Sequence, residues 1–204
     1  MAIEAVLFDM GGVLVGVRAP IDLVGGGVDE RTAWARWIAS PAVRAFEQGA
    51  LGIDDAAAAL IEEFALDATH AEVVEAVRTI PTGLLPGADV LVAEVRRLVP
   101  VGVLSNTNAL HWSSQPDADA IQAMVDHAFV SFRIGLVKPD RDIFDHVASD
   151  LAVDPASVVF LDDNQVNVDG ARRAGFEAHL AIGPVQARSV LIDLGLLGTG
   201  VATP

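Results

Sequence analysis

The chain has 204 residues, 52% of them hydrophobic, which is ample for the core of one globular domain or of one domain carrying an insertion. Its 13 lysines and arginines against 28 aspartates and glutamates give a formal net charge of -15, a field that repels nucleic acid and anionic membrane. Cysteine is absent, Met1-Ala2-Ile3-Glu4 does not open a signal peptide, and no window reaches the roughly 20 apolar residues of a membrane span; disulfides and thiolate metal sites are excluded, and a soluble cytoplasmic protein is the expectation.

Residues 5–8, AVLF, are too short and too continuously apolar for an amphipathic helix and predict a strand buried on both faces, ended by Asp9 and a turn holding Gly11-Gly12. Residues 16–85 then break the rhythm with helical stretches at 30–38, 41–48, 54–64 and 71–80, read as a helical insertion. Its flanks, 15–17 and 81–87, carry the glycine and proline of hinges. An insertion leaving the chain directly after Asp9 would sit over it as a cap, giving a core domain of 1–15 and 86–204 and a cap domain of 16–85.

Beyond the insertion, strand and helix alternate. Strands are predicted at 101–104 before Ser105, at 128–132 before Lys138, at 158–161 before Asp162-Asp163, and at 179–182 before Gly183. Helices are predicted at 88–98, 118–125, 141–151 and 166–174, the last stopped by Gly175. The alternation predicts an α/β fold, a Rossmann-like parallel sheet with helices on both faces, whose ligands bind beyond the carboxyl ends of the strands. Asp9, Ser105 and Asp162-Asp163 would then meet at one edge.

Each of these groups has an ordinary role when taken singly. Asp9 beside a Gly-Gly turn suits a nucleophile flanked by backbone amides, or a plain turn. Ser105-Asn106-Thr107 can offer a hydroxyl and amides to a phosphoryl oxygen, or simply make a turn. Lys138, with Pro139 set for a helix start, could neutralise a nucleophile and a transferred group. The adjacent Asp162 and Asp163 repel one another unless a cation or hydrogen bonds compensate, which suits Mg²⁺; Asp162 or Asn164 could instead cap the next helix.

Together, Phe8-Asp9-Met10-Gly11-Gly12-Val13-Leu14, Leu104-Ser105-Asn106-Thr107-Asn108, Gly135-Leu136-Val137-Lys138-Pro139 and Phe160-Leu161-Asp162-Asp163-Asn164, with Asn167 and Gly170-Ala171, resemble the haloacid dehalogenase-like hydrolases with a helical cap. The likeness is nearest to the branch of bacterial sugar-1-phosphate phosphatases and the phosphatase domain of soluble epoxide hydrolase. Within the insertion it extends to placement and to Phe46-Glu47-Gln48-Gly49. The resemblance implies a phosphatase of a small phosphorylated metabolite in which Asp9 becomes an aspartyl-phosphate. Ser105 would hold the phosphoryl group with Asn106 supporting, and Lys138 would neutralise charge. Asp9, Asp163 and the Gly11 carbonyl would bind Mg²⁺, and Asp162 and Asn167 would shape the loop.

One position departs from the pattern. Many phosphatases of the family carry a second aspartate two residues after the nucleophile as general acid and base, and here that position is Gly11. Such help is worth roughly a hundred to ten thousand fold, so the resemblance leaves open a phosphatase of easy leaving groups, a 2-haloacid dehalogenase-like hydrolase and a non-catalytic binding or regulatory protein. Glu47 is a possible stand-in acid from the cap and His111 a minor candidate for contacting substrate. His127, His146 and His179 show no paired ligand spacing, Trp34 and Trp37 fit packing, and Gly25-Gly26-Gly27 fits a flexible turn. Substrate identity and oligomeric state are not encoded in any motif.

Overall fold

The computed structural model describes residues 2–199. Its framework is a five-stranded parallel sheet in the order β5-β4-β1-β6-β7, built from β1 (Ala5–Phe8), β4 (Val101–Ser105), β5 (His127–Val130), β6 (Val158–Asp162) and β7 (Glu177–Leu180). β1 lies at the centre; the chain runs from it to β4 and β5 on one side, then crosses back to β6 and β7 on the other. That reversal opens a crevice at the carboxyl end of β1, where Asp9 stands.

The continuous apolar runs are explained by the two faces they serve. On β1, Val6 and Phe8 pack into one core with α5 (Ala88–Arg96) and α11 (Gly183–Asp193), while Leu7 joins a second core with α9 (Arg141–Leu151) and α10 (Gln165–Arg173). On β6, Val159 and Leu161 share the first core and Val158 and Phe160 the second. Successive side chains of a strand point to opposite faces, so a strand covered on both sides has no position left for a polar residue until it ends.

Residues 21–80 supply most of a third core. A 3-10 turn (Ile21–Leu23) and four helices, α1 (Glu30–Ala39), α2 (Pro41–Glu47), α3 (Ile53–Phe64) and α4 (His70–Arg78), pack around Trp37, Phe46, Leu60 and Val77. Leu110 of α6 (Ala109–Ser114) reaches up into this cluster from the sheet side. Thr69 and Glu72 make a reciprocal capping box at the start of α4, and Ser40 caps α2 through Val43 N–H.

Several expectations are corrected. The flanks read as hinges pair with each other as an antiparallel ribbon, β2 (Val15–Val17) with β3 (Pro81–Leu84), so the two connections are tied together by backbone hydrogen bonds. β7 begins two residues before the predicted 179–182, because its register follows β6: Leu180 pairs with Asp162, where β6 stops. β5 ends at Val130, and the predicted last residues, 131–132, turn into the short helix α8 (Ser131–Ile134), whose buried Ser131 hydroxyl donates to Thr107 O and accepts from Thr107 N–H. Pro139 precedes α9 instead of opening it; the Lys138–Pro139 peptide is cis and Asp140 is the N-cap. α7 (Ala118–Met124) falls where a helix was predicted; α6 and α11 had no counterpart in the sequence reading.

Candidate active site

The carboxyl ends of β1, β4 and β6 bring Asp9, Ser105 and Asp163 to the wall of one cavity of about 600 Å³, with Asp162 buried behind it, and the loop after α8 adds Lys138. The inserted helices close the opposite side with Trp34, Trp37, Arg31, Arg44 and Glu47.

Lys138 is buried to 3% exposure and sits between two acids, its Nζ 2.9 Å from Asp9 Oδ1 and 2.7 Å from Asp162 Oδ2. Burial works to lower its pKa, but the Asp162 and Asp9 carboxylates outweigh it and hold the ammonium above its ordinary range. The Lys138 peptide is clamped as well: Asn106 Nδ2 donates to Lys138 O at 2.9 Å and Lys138 N–H donates to Asn106 Oδ1 at 2.8 Å. The Asn106 side chain is therefore spent on positioning the lysine loop. Gly170 lets α10 approach that loop, since a Cβ there would lie 2.7 Å from Pro139 O.

Asp162 is fully buried and saturated, accepting from Lys138, from Asn167 Nδ2 at 3.1 and 3.2 Å, and from Asn164 N–H at 2.8 Å. Asn164 itself is the N-cap of α10, its side chain accepting from Val166 N–H. Asp9 takes Lys138 and its neighbour Met10 N–H on Oδ1, leaving Oδ2 without a partner among the described residues. Burial pushes the Asp9 carboxyl up to about 7, with Lys138 pulling it down and Asp162 and Asp163 pushing further up. Asp163 is exposed in the cavity and forms no ion pair among the described residues; partial desolvation and the Asp162 charge raise it to about 6.

Asp9, Asp162 and Asp163 each place a carboxylate oxygen within 4.8 Å of the others. Three carboxylates facing one ammonium leave an excess of negative charge, and hard oxygen donors are the set a small divalent cation takes. With Asp162 saturated, Asp9 and Asp163 are the two acids with capacity to spare. The donor chemistry and the charge imbalance both fit a metal ion.

The double glycine resolves into two different positions. Gly12 has φ +75°, and a Cβ on it would come within 2.1 Å of Asp163 Oδ2, so only glycine lets the turn pass beside that acid. Gly11 has no left-handed φ, and its Cβ would meet Val17 Cγ1 at 3.3 Å.

His111 lines the cavity, but both ring nitrogens are taken. Nε2 is 2.8 Å from Val77 O on α4, and Nδ1 is 3.2 Å from Asn108 Nδ2. Facing a carbonyl and an amide NH₂, the ring is satisfied as the neutral Nε2–H tautomer, and desolvation lowers its pKa to about 4. It struts the inserted helices against the sheet domain. Trp37 is buried in the helical core and Trp34 packs against it, as expected of packing, and both also line the cavity.

One residue at the cavity, Gln115, went unremarked in the sequence. The Thr107 hydroxyl and Gln115 Oε1 are buried beside the cavity with no hydrogen-bond partner among the described residues, where Gln115 Nε2 reaches Met10 Sδ at 3.8 Å. A lone glutamine after Ser113-Ser114 carries no signal; the placement of α6 reveals it.

The fold that carries this site has counterparts. The model of the haloacid dehalogenase-like hydrolases matches residues 3–175. The chain belongs to that family. It is therefore a hydrolase, with the family's α/β sheet. It is 27% identical over 191 residues to a D-ribitol-5-phosphate phosphatase of Bacteroides thetaiotaomicron, covering 86% of this chain and 90% of that one. It is 38% identical over 105 residues to phosphatase MT3486 of Mycobacterium tuberculosis, covering 50% of this chain and 48% of the relative. Among solved structures, a haloacid dehalogenase family enzyme of B. thetaiotaomicron in complex with magnesium and inorganic phosphate superposes with a TM-score of 0.71 at 19% identity, covering 88% of this chain and 94% of that one. The family's hydrolases thus share the fold built around Asp9 here.

Proposed function

We propose that the protein is a Mg²⁺-dependent phosphatase of a small phosphorylated metabolite, with a sugar or polyol phosphate the favoured substrate and residues 16–85 acting as its cap. The carrying observation is the buried Asp9–Lys138–Asp162 chain with exposed Asp163 beside it: a nucleophilic carboxylate, a fixed cation and spare acidic oxygens on one cavity wall. The phosphatase relatives support the substrate class.

In this reading Asp9 attacks phosphorus, and the ester oxygen leaves. Ser105, at the end of β4, and the Asn106 amide after it receive the phosphoryl oxygens, and Lys138 offsets the charge gathered between Asp9 and the transferred group. Asp9, Asp163 and the Gly11 carbonyl would hold the Mg²⁺, which when bound supplies further charge neutralisation and draws the Asp9 carboxyl back to its ionised form. Asp162 and Asn167 keep Lys138 in line. The excess of carboxylate over ammonium weighs against the dehalogenase alternative, which has no use for a cation at this place.

The test is phosphate release from a panel of sugar, polyol and aryl phosphates, with Mg²⁺ or with chelator. The proposal expects activity with Mg²⁺ that chelation and Asp9→Asn each abolish. Activity indifferent to both, or halide release from 2-haloacids in chelator, would overturn it.

A further inference from the structure

We propose that Glu47, carried on the inserted helices, is the general acid and base that Gly11 does not provide. The proposal rests on the phosphatase reading above and deepens it. Glu47 is the last residue of α2, and it is the one carboxylic side chain that the inserted helices contribute to the cavity wall among the described residues. It faces the cavity that Asp9 and Lys138 enter from the opposite side, close enough for both charges to act on it.

Its position is held from both sides. Arg44, one turn earlier, forms an ion pair with Asp140, the N-cap of α9. Two residues later, Gly49 at φ +71° packs so tightly on α8 that a Cβ would lie 2.4 Å from Phe132 O. The helix end is thus docked on the sheet domain on either side of Glu47, and a glycine is required at that contact. At the other end of α2, Glu63 of α3 accepts from Ser40 Oγ at 2.8 Å and Ala42 N–H at 3.2 Å, so the whole helix is braced. The immediate surroundings favour the protonated acid: burial raises it to about 7, Lys138 and Arg44 pull it down, and Asp9 pushes it up.

Nothing in the turn forces Gly11 to be glycine, because its backbone is not left-handed and a Cβ meets a single side-chain methyl. The missing acid at that position is a real chemical vacancy, and Glu47 occupies the facing wall. In the first step the Asp9 oxygen forms a bond to phosphorus, the bond from phosphorus to the ester oxygen breaks, and the Glu47 proton passes to that oxygen, releasing the alcohol. In the second, the Glu47 carboxylate takes a proton from water, the water oxygen bonds to phosphorus, and the Asp9–phosphorus linkage breaks to give inorganic phosphate.

The test compares wild type with Glu47→Gln on acetyl, p-nitrophenyl and glycerol phosphates at saturating Mg²⁺. Because kcat/KM ends at phosphoenzyme formation, it should change little for acetyl phosphate, whose leaving group needs no proton, and fall about a hundredfold or more for glycerol phosphate. The ratio between substrates within one preparation is independent of how much variant is folded. Meanwhile kcat should drop on every substrate, since water activation is shared. An equal loss of kcat/KM on all three substrates, or undiminished glycerol phosphate hydrolysis, overturns the role of Glu47. If Asp9→Asn keeps wild-type rates on acetyl phosphate, the phosphatase reading itself fails and takes this proposal with it.

Discussion

At Gly12 a methyl group has no room, and at Gly11 it nearly fits, so neighbouring glycines should answer the same substitution differently. Gly12→Ala is expected to cost on the order of 1–3 kcal/mol in thermal unfolding and to displace Asp163, because it combines a left-handed φ with a clash against that carboxylate. Gly11→Ala should stay within about 1 kcal/mol, since Val17 need give only a few tenths of an ångström. The buried lysine is more exacting. Lys138→Ala removes the counter-charge shared by two buried carboxylates, and breaking a buried pair from one side typically costs about 3–5 kcal/mol. A melting curve for each variant checks all three. At this scale the sequence was legible where an acid or lysine ended an apolar run, as at Asp9 and Asp162. It was silent on how Asn106 is used, because only the folded loop shows that its amide holds the Lys138 peptide.

Elements buried on both faces were easy to find, and elements at edges were not. β1, β4 and β6 read as unbroken apolar runs because helices cover them on both sides. β7 has one strand neighbour and tolerates Glu177 and His179, whose side chains meet at 2.7 Å, so its polar start hid it and the apolar residues beyond it drew the boundary two positions late. The β2–β3 ribbon was invisible because Gly16 and Gly83 look like hinge residues. In the folded chain Gly16 gives way to Thr82 Oγ1, 2.3 Å from where its Cβ would be. The docking of α2 offers a prediction of its own. Gly49→Ala should lift the helix end from Phe132 O and lower the rate on poor leaving groups, while amide exchange in β1, β4 and β6 stays as protected as in wild type. Arg44→Ala, exposed at 45% beside an Asp140 at 47%, should change stability by less than about 1 kcal/mol.

Across the whole molecule, the inserted helices own their core, and polar contacts such as that of His111 with Val77 O join them to the sheet domain. The order of layers was readable from the alternation of strands and helices. The meeting of the two parts over one cavity was not, since α6, which supplies Leu110 and His111 and is capped by Gln115, is too short to leave a periodic pattern. His111 ties stability to pH. Its folded pKa of about 4 lies below its ordinary 6.5, so between those values the unfolded chain binds the extra proton. Its contribution is whole above about 6.5 and declines as the pH falls toward 4, by on the order of 3 kcal/mol. Asp9, Glu47 and Asp163, raised by burial, work in the opposite sense, so the difference between the pH–stability profiles of wild type and His111→Gln isolates the histidine. Urea unfolding at several pH values should show the two curves diverging below about 6.5.

The central claim is that Asp9 carries the phosphoryl group between the two steps. Acid quenching during turnover of a phosphomonoester, followed by borohydride reduction and peptide mass mapping, tests it directly. The account predicts that Asp9, and no other acid, is recovered as homoserine, in amounts that depend on substrate and Mg²⁺. Reduction at another carboxylate, or an unmodified Asp9 in a sample that has released a pre-steady-state burst of product, would contradict it.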